Sequence, residues 1–155
     1  MKKIIFLFAF LCSLNASYSQ SKIGVTLGSI YGGPDGLILE AGINLQLHSK
    51  LDMNLALNSN FRFSKGFRTN INYTYFSQGK FSASAGLGYV NEQFDLSEFN
   101  VVDRRDHNLE IPLRIKYGLS NKLNINAAFI PSINMNGTRS SSINYRARLG
   151  LEYRF

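Results

Sequence analysis

The sequence has a single cysteine, Cys12, near its amino terminus. A disulfide framework, a cysteine-rich metal site and a cysteine nucleophile are therefore excluded together once the leader described below is set aside. Histidine is almost as scarce. His48 and His107 stand alone, without acidic or hydroxyl partners at metal-ligand or triad spacing, so neither a metal nor any other cofactor is expected. No apolar run reaches the roughly 18 residues that a membrane-spanning helix needs. Charge is sparse at 17% of residues, with acids scarcer than bases, 10 against 17. The chain is rich instead in 12 Phe, 8 Tyr and 13 Gly, a mixture that suits many short strands better than helices.

The amino terminus accounts for part of the 155 residues. Lys2 and Lys3 form a basic start, residues 4–11 are apolar but too short to cross a bilayer, and Ser17-Tyr18-Ser19 offers small residues for cleavage before Gln20. The expected division is an export signal over 1–19 and one domain over 20–155. Cys12 follows Leu11 rather than a small residue, so it fits lipidation poorly. Losing Lys2 and Lys3 lowers the net charge from +7 to +5. A basic exported protein suits anionic head groups or other polyanions, and charge alone does not choose between them. Nucleic acid is not expected as a partner.

Strict period-two alternation organises the rest. From 143 to 155 every second residue is Ile143, Tyr145, Ala147, Leu149, Leu151, Tyr153 and Phe155, while Arg146, Arg148, Glu152 and Arg154 lie between them. Such a strand has one greasy face and one charged face. Seven earlier stretches repeat the pattern, at 22–30, 37–47, 51–63, 69–76, 81–90, 107–118 and 123–130. The connections at 48–50, 77–80 and 119–122 are short, whereas 64–68, 91–106 and 131–142 are longer and 31–36 is intermediate. Within 91–106, Asp95-Leu96-Ser97-Glu98 has the spacing of a capping box and predicts one helical turn. Pro112 falls mid-strand on the inner face, where a bulge is expected.

Aromatics sort by depth. Tyr75, Phe81, Tyr117, Tyr153 and Phe155 fall at the short-turn end, and Phe61, Phe63, Tyr89, Phe129 and Tyr145 toward the other. Two girdles flanking an apolar belt, an even number of strands and alternating connection lengths predict an all-β fold: an eight-stranded antiparallel up-and-down transmembrane β-barrel following a cleaved signal peptide.

In this pattern and in its closing Tyr153-Arg154-Phe155, the chain resembles the small eight-stranded outer-membrane barrels, the family of the outer-membrane protein A transmembrane domain and its single-domain relatives. The resemblance implies a bacterial outer-membrane location with both mature termini periplasmic, and a monomer in contact with outer-membrane lipid and lipopolysaccharide. It also implies an assembly signal at Tyr153 and Phe155, read by the barrel-assembly machinery during insertion. No periplasmic peptidoglycan-binding domain follows position 155, so the tethering role of longer relatives is not expected.

Inside such a barrel the alternation places Glu40, Asp52, Glu110 and Glu152 with Arg62, Arg114, Lys116, Arg146, Arg148 and Arg154. An eight-stranded bore is just wide enough for side chains to fill. Charges there must pair, which predicts a plug of ion pairs rather than an open path. The outer loops would carry Lys65, Arg68, Arg104, Arg105 and Arg139, available to lipopolysaccharide phosphates. Phe94, Leu96, Phe99, Val101 and Val102 in the longest loop would either make an adhesive edge or fold over the mouth. The leading function is a non-enzymatic barrel serving envelope integrity or surface interaction. A narrow porin-like channel is the alternative. A lipid A-modifying enzyme is the third reading, since His107 has only Ser132 and Ser140, Ser141 and Ser142 within plausible chain distance.

Overall fold

A computed structural model describes residues 23–32, 36–60, 64–95, 104–136 and 143–155. The expected signal at 1–19, together with Arg62, Phe61, Phe63 and Arg139, lies outside them, as do Leu96, Phe99, Val101, Val102 and Ser140 to Ser142. Nine strand segments follow in order: β1 (Ile23–Tyr31), β2 (Leu37–His48), β3 (Leu51–Ser59), β4 (Ser64–Gln78), β5 (Phe81–Phe94), β6 (Arg104–Glu110), β7 (Leu113–Gly118), β8 (Leu123–Asn134) and β9 (Ile143–Arg154). Apart from β6 and β7, which do not pair with each other, successive segments pair antiparallel, and β1 pairs with β9 to shut the ring. The segments β6 and β7 both lie between β5 and β8, so they are two halves of one stave. The wall is a closed eight-stranded up-and-down barrel.

The alternation explains which way each stave faces. On β9 the apolar set is exposed, whereas Arg146, Arg148 and Glu152 are buried. The same inversion runs round the ring: Leu57, Leu87 and Leu149 are 71%, 63% and 62% exposed, while Asn54, Asn72, Glu92 and Arg68 are buried. A continuous exposed belt of large apolar side chains is untenable in water and suits lipid. Aromatic pairs occupy its edges. Phe129 stacks on Tyr145 at 5.7 Å and Phe67 meets Tyr89 at 5.9 Å toward the loop end, while Tyr153 meets Phe155 edge-on at 5.6 Å at the other.

Turns at 49–50, 79–80 and 119–122 define the short-turn end, where β1 begins and β9 finishes. Gly79 holds φ +57° in its tight turn, a conformation that suits a two-residue hairpin and costs glycine nothing.

Several strand boundaries differ from the sequence reading. Residues 64–68, expected as loop, open β4, and 91–94, 104–106 and 131–134 likewise extend strands into expected loops. Their outward side chains include Lys65, Gln93 and Arg105 because they stand above the apolar belt, and the lost apolar alternation mimics a loop. β4 has 15 residues, well beyond the roughly 9–11 that cross a bilayer. Asp95 closes the described part of the longest loop and is not helical; the rest of the expected turn at 95–98 lies outside the described residues.

Pro112 produces no bulge. Gly88 faces Glu110 on one side of the interruption and Ala85 faces Leu113 on the other, in unchanged register. The ladder is simply thinned: Gly86 N donates to the Pro112 carbonyl at 3.0 Å, but Pro112 has no N–H to return. One rung away Ile111 N donates to the Pro131 carbonyl at 2.9 Å, and again proline returns nothing. True register shifts occur elsewhere, between Gln46 and His48 on β2 and between Thr74 and Phe76 on β4.

Candidate functional site: a bore crossed by ion pairs

Most of the inward charges pair across the bore rather than along one strand. Arg68 on β4 reaches Glu40 on β2 through one terminal guanidinium nitrogen, and its Nε donates to Glu110 Oε2 on β6 at 2.7 Å. A second bond from Arg68 to Glu110, at 3.2 Å, makes that contact bidentate. All three side chains have no solvent exposure. Glu40 also meets Arg148 of β9 at 2.5 Å, so four charges form one chain, Arg148–Glu40–Arg68–Glu110. Beside it, Glu92 of β5 receives a double bond from Arg146 of β9, both at 2.7 Å, and one from Asn58 at 3.0 Å.

This level is charge-balanced among the described residues: Glu40, Glu92 and Glu110 answer Arg68, Arg146 and Arg148. Room for it comes from small inward residues. A Cβ on Gly28 would stand 2.9 Å from the Leu149 carbonyl and 3.4 Å from the Arg148 Nε, so glycine there leaves space for the guanidinium. At and above this level apolar groups also line the bore, with Ile30, Ile38, Val90, Phe94 and Ile130 all buried. Phe94, read from sequence as a loop residue, points inward there, with the Arg104 guanidinium 4.6 Å from its ring centre.

Toward the short-turn end lie the remaining pairs. Arg114 meets Asp52 at 2.5 Å and donates to Ser84 at 3.1 Å, while Asn72 bonds the other Asp52 oxygen at 3.0 Å. Glu152 takes Lys116 and Arg154, each at 2.6 Å, and Asn44 at 3.1 Å. The sequence-named lumen residues are thus all inside, apart from Arg62, which is outside the described residues. Two members of the central level were missed. Arg68 was assigned to an outer loop and to lipopolysaccharide; its burial at the centre of the bore overturns that assignment. Glu92 was placed in the long loop, although the run Gly88, Val90, Glu92 continues the inward alternation of β5.

The other external cations divide. Lys65 on β4 faces Gln93 on β5, which faces Arg105 on β6, and all three lie on the outer side of the wall in one row. Two rungs toward the turns that row becomes Thr69, Tyr89 and Leu109, so the lipid boundary runs between them. Arg104 stands on the inward face at the mouth and pairs with Asp106 at 2.8 Å. His107 is on the outer wall, where its Nδ1 meets the Tyr89 hydroxyl at 2.5 Å and the Asn91 amide at 3.3 Å. Ser132 is buried on the opposite, inner face, with its hydroxyl toward the Asn144 carbonyl. The wall therefore separates the two. Among the described residues, no group of three or more His, Cys, Asp or Glu side chains is placed to hold a metal.

No family model matches the sequence, and no curated protein matches it. Solved structures do. The N-terminal β-barrel domain of Pseudomonas aeruginosa OprF superposes with a TM-score of 0.65 at 15% identity, over 88% of this chain and 98% of that one. A de novo designed transmembrane β-barrel gives 0.62 at 10% identity, over 89% and 98%. Neisserial surface protein A gives 0.57 at 10%, over 86% and 94%. At such identities the likeness establishes the fold, and the chain is a small eight-stranded β-barrel of the outer-membrane type.

Proposed function

We propose that this protein is a non-enzymatic barrel of a bacterial outer membrane, shut by its crossing ion pairs and acting through its wall and outer rim in envelope integrity or surface interaction. One observation carries the closed-bore part: Arg68 bridges Glu40 and Glu110 from staves on either side of its own, with all three side chains sealed from solvent. An eight-stranded bore filled at one level leaves no continuous water path there.

In this reading residues 1–19 are the export signal, the short-turn end faces the periplasm, and the chain is a monomer. Lys65 and Arg105 fit phosphate-bearing lipopolysaccharide at the outer boundary, because they share one outward row just beyond the apolar belt. Arg104 and Arg139 stay as further candidates. Tyr153 and Phe155, both exposed on the outer wall, fit an insertion signal for the assembly machinery.

Planar-bilayer recording of the refolded protein tests the closed bore, with no steady single-channel current expected. Large, stable conductance would replace this reading with the porin-like channel. Lipid A from cells with and without the protein should have the same mass spectrum; a protein-dependent change would reinstate the enzyme.

A further inference from the structure

We infer that the short-turn mouth of the bore is a binding site for a tetrahedral oxyanion of the phosphate class. The first observation is a local charge surplus. The central level is balanced, but at the short-turn end Asp52 and Glu152 face three inward cations, Arg114, Lys116 and Arg154. Glu152 is shared by two of them. It uses only the Nε of Arg154, which leaves the terminal guanidinium nitrogens without a partner among the described residues. The turns themselves add Lys50, Lys80 and Lys122 and no acid.

The second observation is space. Two adjoining cavities, of about 140 Å³ and 310 Å³, open at this end, and both are lined by Ser77, Ser82, Lys116 and Arg154. A single water needs roughly 10–15 Å³ of such volume, so the smaller alone has room for an oxyanion.

The third is the backbone. Both register shifts of the barrel wall described above fall at this end. The shift on β4 turns Tyr75 and Phe76 outward together and brings Ser77 inward, opposite Ser82. Without it, Ser77 would face lipid. A bulge that re-aims one side chain is a common device beside a site. Two hydroxyls, an ammonium and a guanidinium from four staves line the same cavities and supply donors from several directions. That arrangement suits a tetrahedral anion better than a planar carboxylate, which one guanidinium fork satisfies.

The phosphate has two possible sources, a soluble phosphate or phosphomonoester and the head group of a neighbouring lipid. The barrel, refolded in a phosphate-free maltoside detergent, is titrated calorimetrically with inorganic phosphate, and separately with micelle-borne phosphatidic acid. Saturable one-to-one binding of inorganic phosphate is expected, weakened about tenfold or more by Arg154→Gln and by the paired change Ser77→Ala with Ser82→Ala. The serine pair removes no buried charge, so it remains informative if Arg154→Gln refolds poorly. Tyr31→Phe, at the opposite end of the barrel, should change nothing. Saturable binding of phosphatidic acid alone, abolished by the same variants, would assign the site to the lipid head group. No saturable binding of either probe, or binding indifferent to these variants, overturns the site. None of these outcomes depends on whether the bore conducts.

Discussion

Arg68→Met is the sharpest perturbation of the closed bore. The arginine holds Glu40 and Glu110 at once, yet the two acids would be left in different positions. Glu40 keeps Arg148 at 2.5 Å, whereas Glu110 loses both of its bonds, at 2.7 Å and 3.2 Å, and has no other ionic partner among the described residues. A single acid with no exposure would be stranded. Breaking a buried pair by removing one partner costs about 3–5 kcal/mol. Removing the stranded charge as well, in Arg68→Met with Glu110→Gln, should restore most of that loss, because a buried pair is worth little against neutral groups of similar volume. The double variant also keeps the central level balanced, with Glu40 and Glu92 against Arg146 and Arg148. Stability is read from denaturant unfolding in zwitterionic vesicles. Far-ultraviolet dichroism and electrophoretic band shift are the probes, since the chain has no tryptophan to report by fluorescence. A single variant within about 1 kcal/mol of the wild type would refute the argument, as would a double variant no more stable than the single one.

Leu149→Arg places a charge on the lipid face of β9 and should lower refolding stability by about 2–4 kcal/mol, whereas an unchanged denaturation midpoint would mean that the wall faces water. Pro112→Ala restores an N–H aimed at the Gly86 carbonyl, so unfolding should become harder by about 0.5–1.5 kcal/mol, with slower hydrogen exchange at that rung. Deleting Phe155, which meets Tyr153 at 5.6 Å, should reduce the folded, heat-modifiable fraction in outer-membrane preparations and raise degradation products in the periplasm. Glu110→Gln should admit intermittent current in bilayers where the wild type is quiet, because Arg68 then keeps its charge but loses one acid that holds it in place.

The staves were legible because lipid outside and charge inside enforce alternation residue by residue, and β9 shows it without a break from Ile143 to Arg154. Strand ends were not legible, since beyond the apolar belt the outer face meets water and turns polar. The rung holding Lys65, Gln93 and Arg105 reads as loop for that reason. Arg68 was lost in the same way: its inward position depends on β4 starting at Ser64, five residues before the apolar alternation becomes visible. The pairing scheme was out of reach altogether. Asp52 on β3 takes Arg114 on β7, and Glu92 on β5 takes Arg146 on β9. Partners across a closed ring depend on its stagger, which no single strand encodes. The interruption at Pro112 was visible as a missing donor, while the intact register on either side of it depends on β5 and β8.

The crossing pattern also bears on how the barrel is made. Three cations of the bore arrive last in the chain: Arg146, Arg148 and Arg154 all sit on β9, and two of them belong to acids on β2 and β5. Until β9 reaches β1, Glu92 has no counter-ion in the described bore and Glu40 has only Arg68. A partly assembled sheet entering hydrocarbon would therefore carry uncompensated carboxylates across a low-dielectric core, at a steep cost. Charge balance at the central level comes only with the last strand. That couples insertion to ring closure and penalises open, half-built sheets, and the penalty arises from the order in which charges appear along the chain.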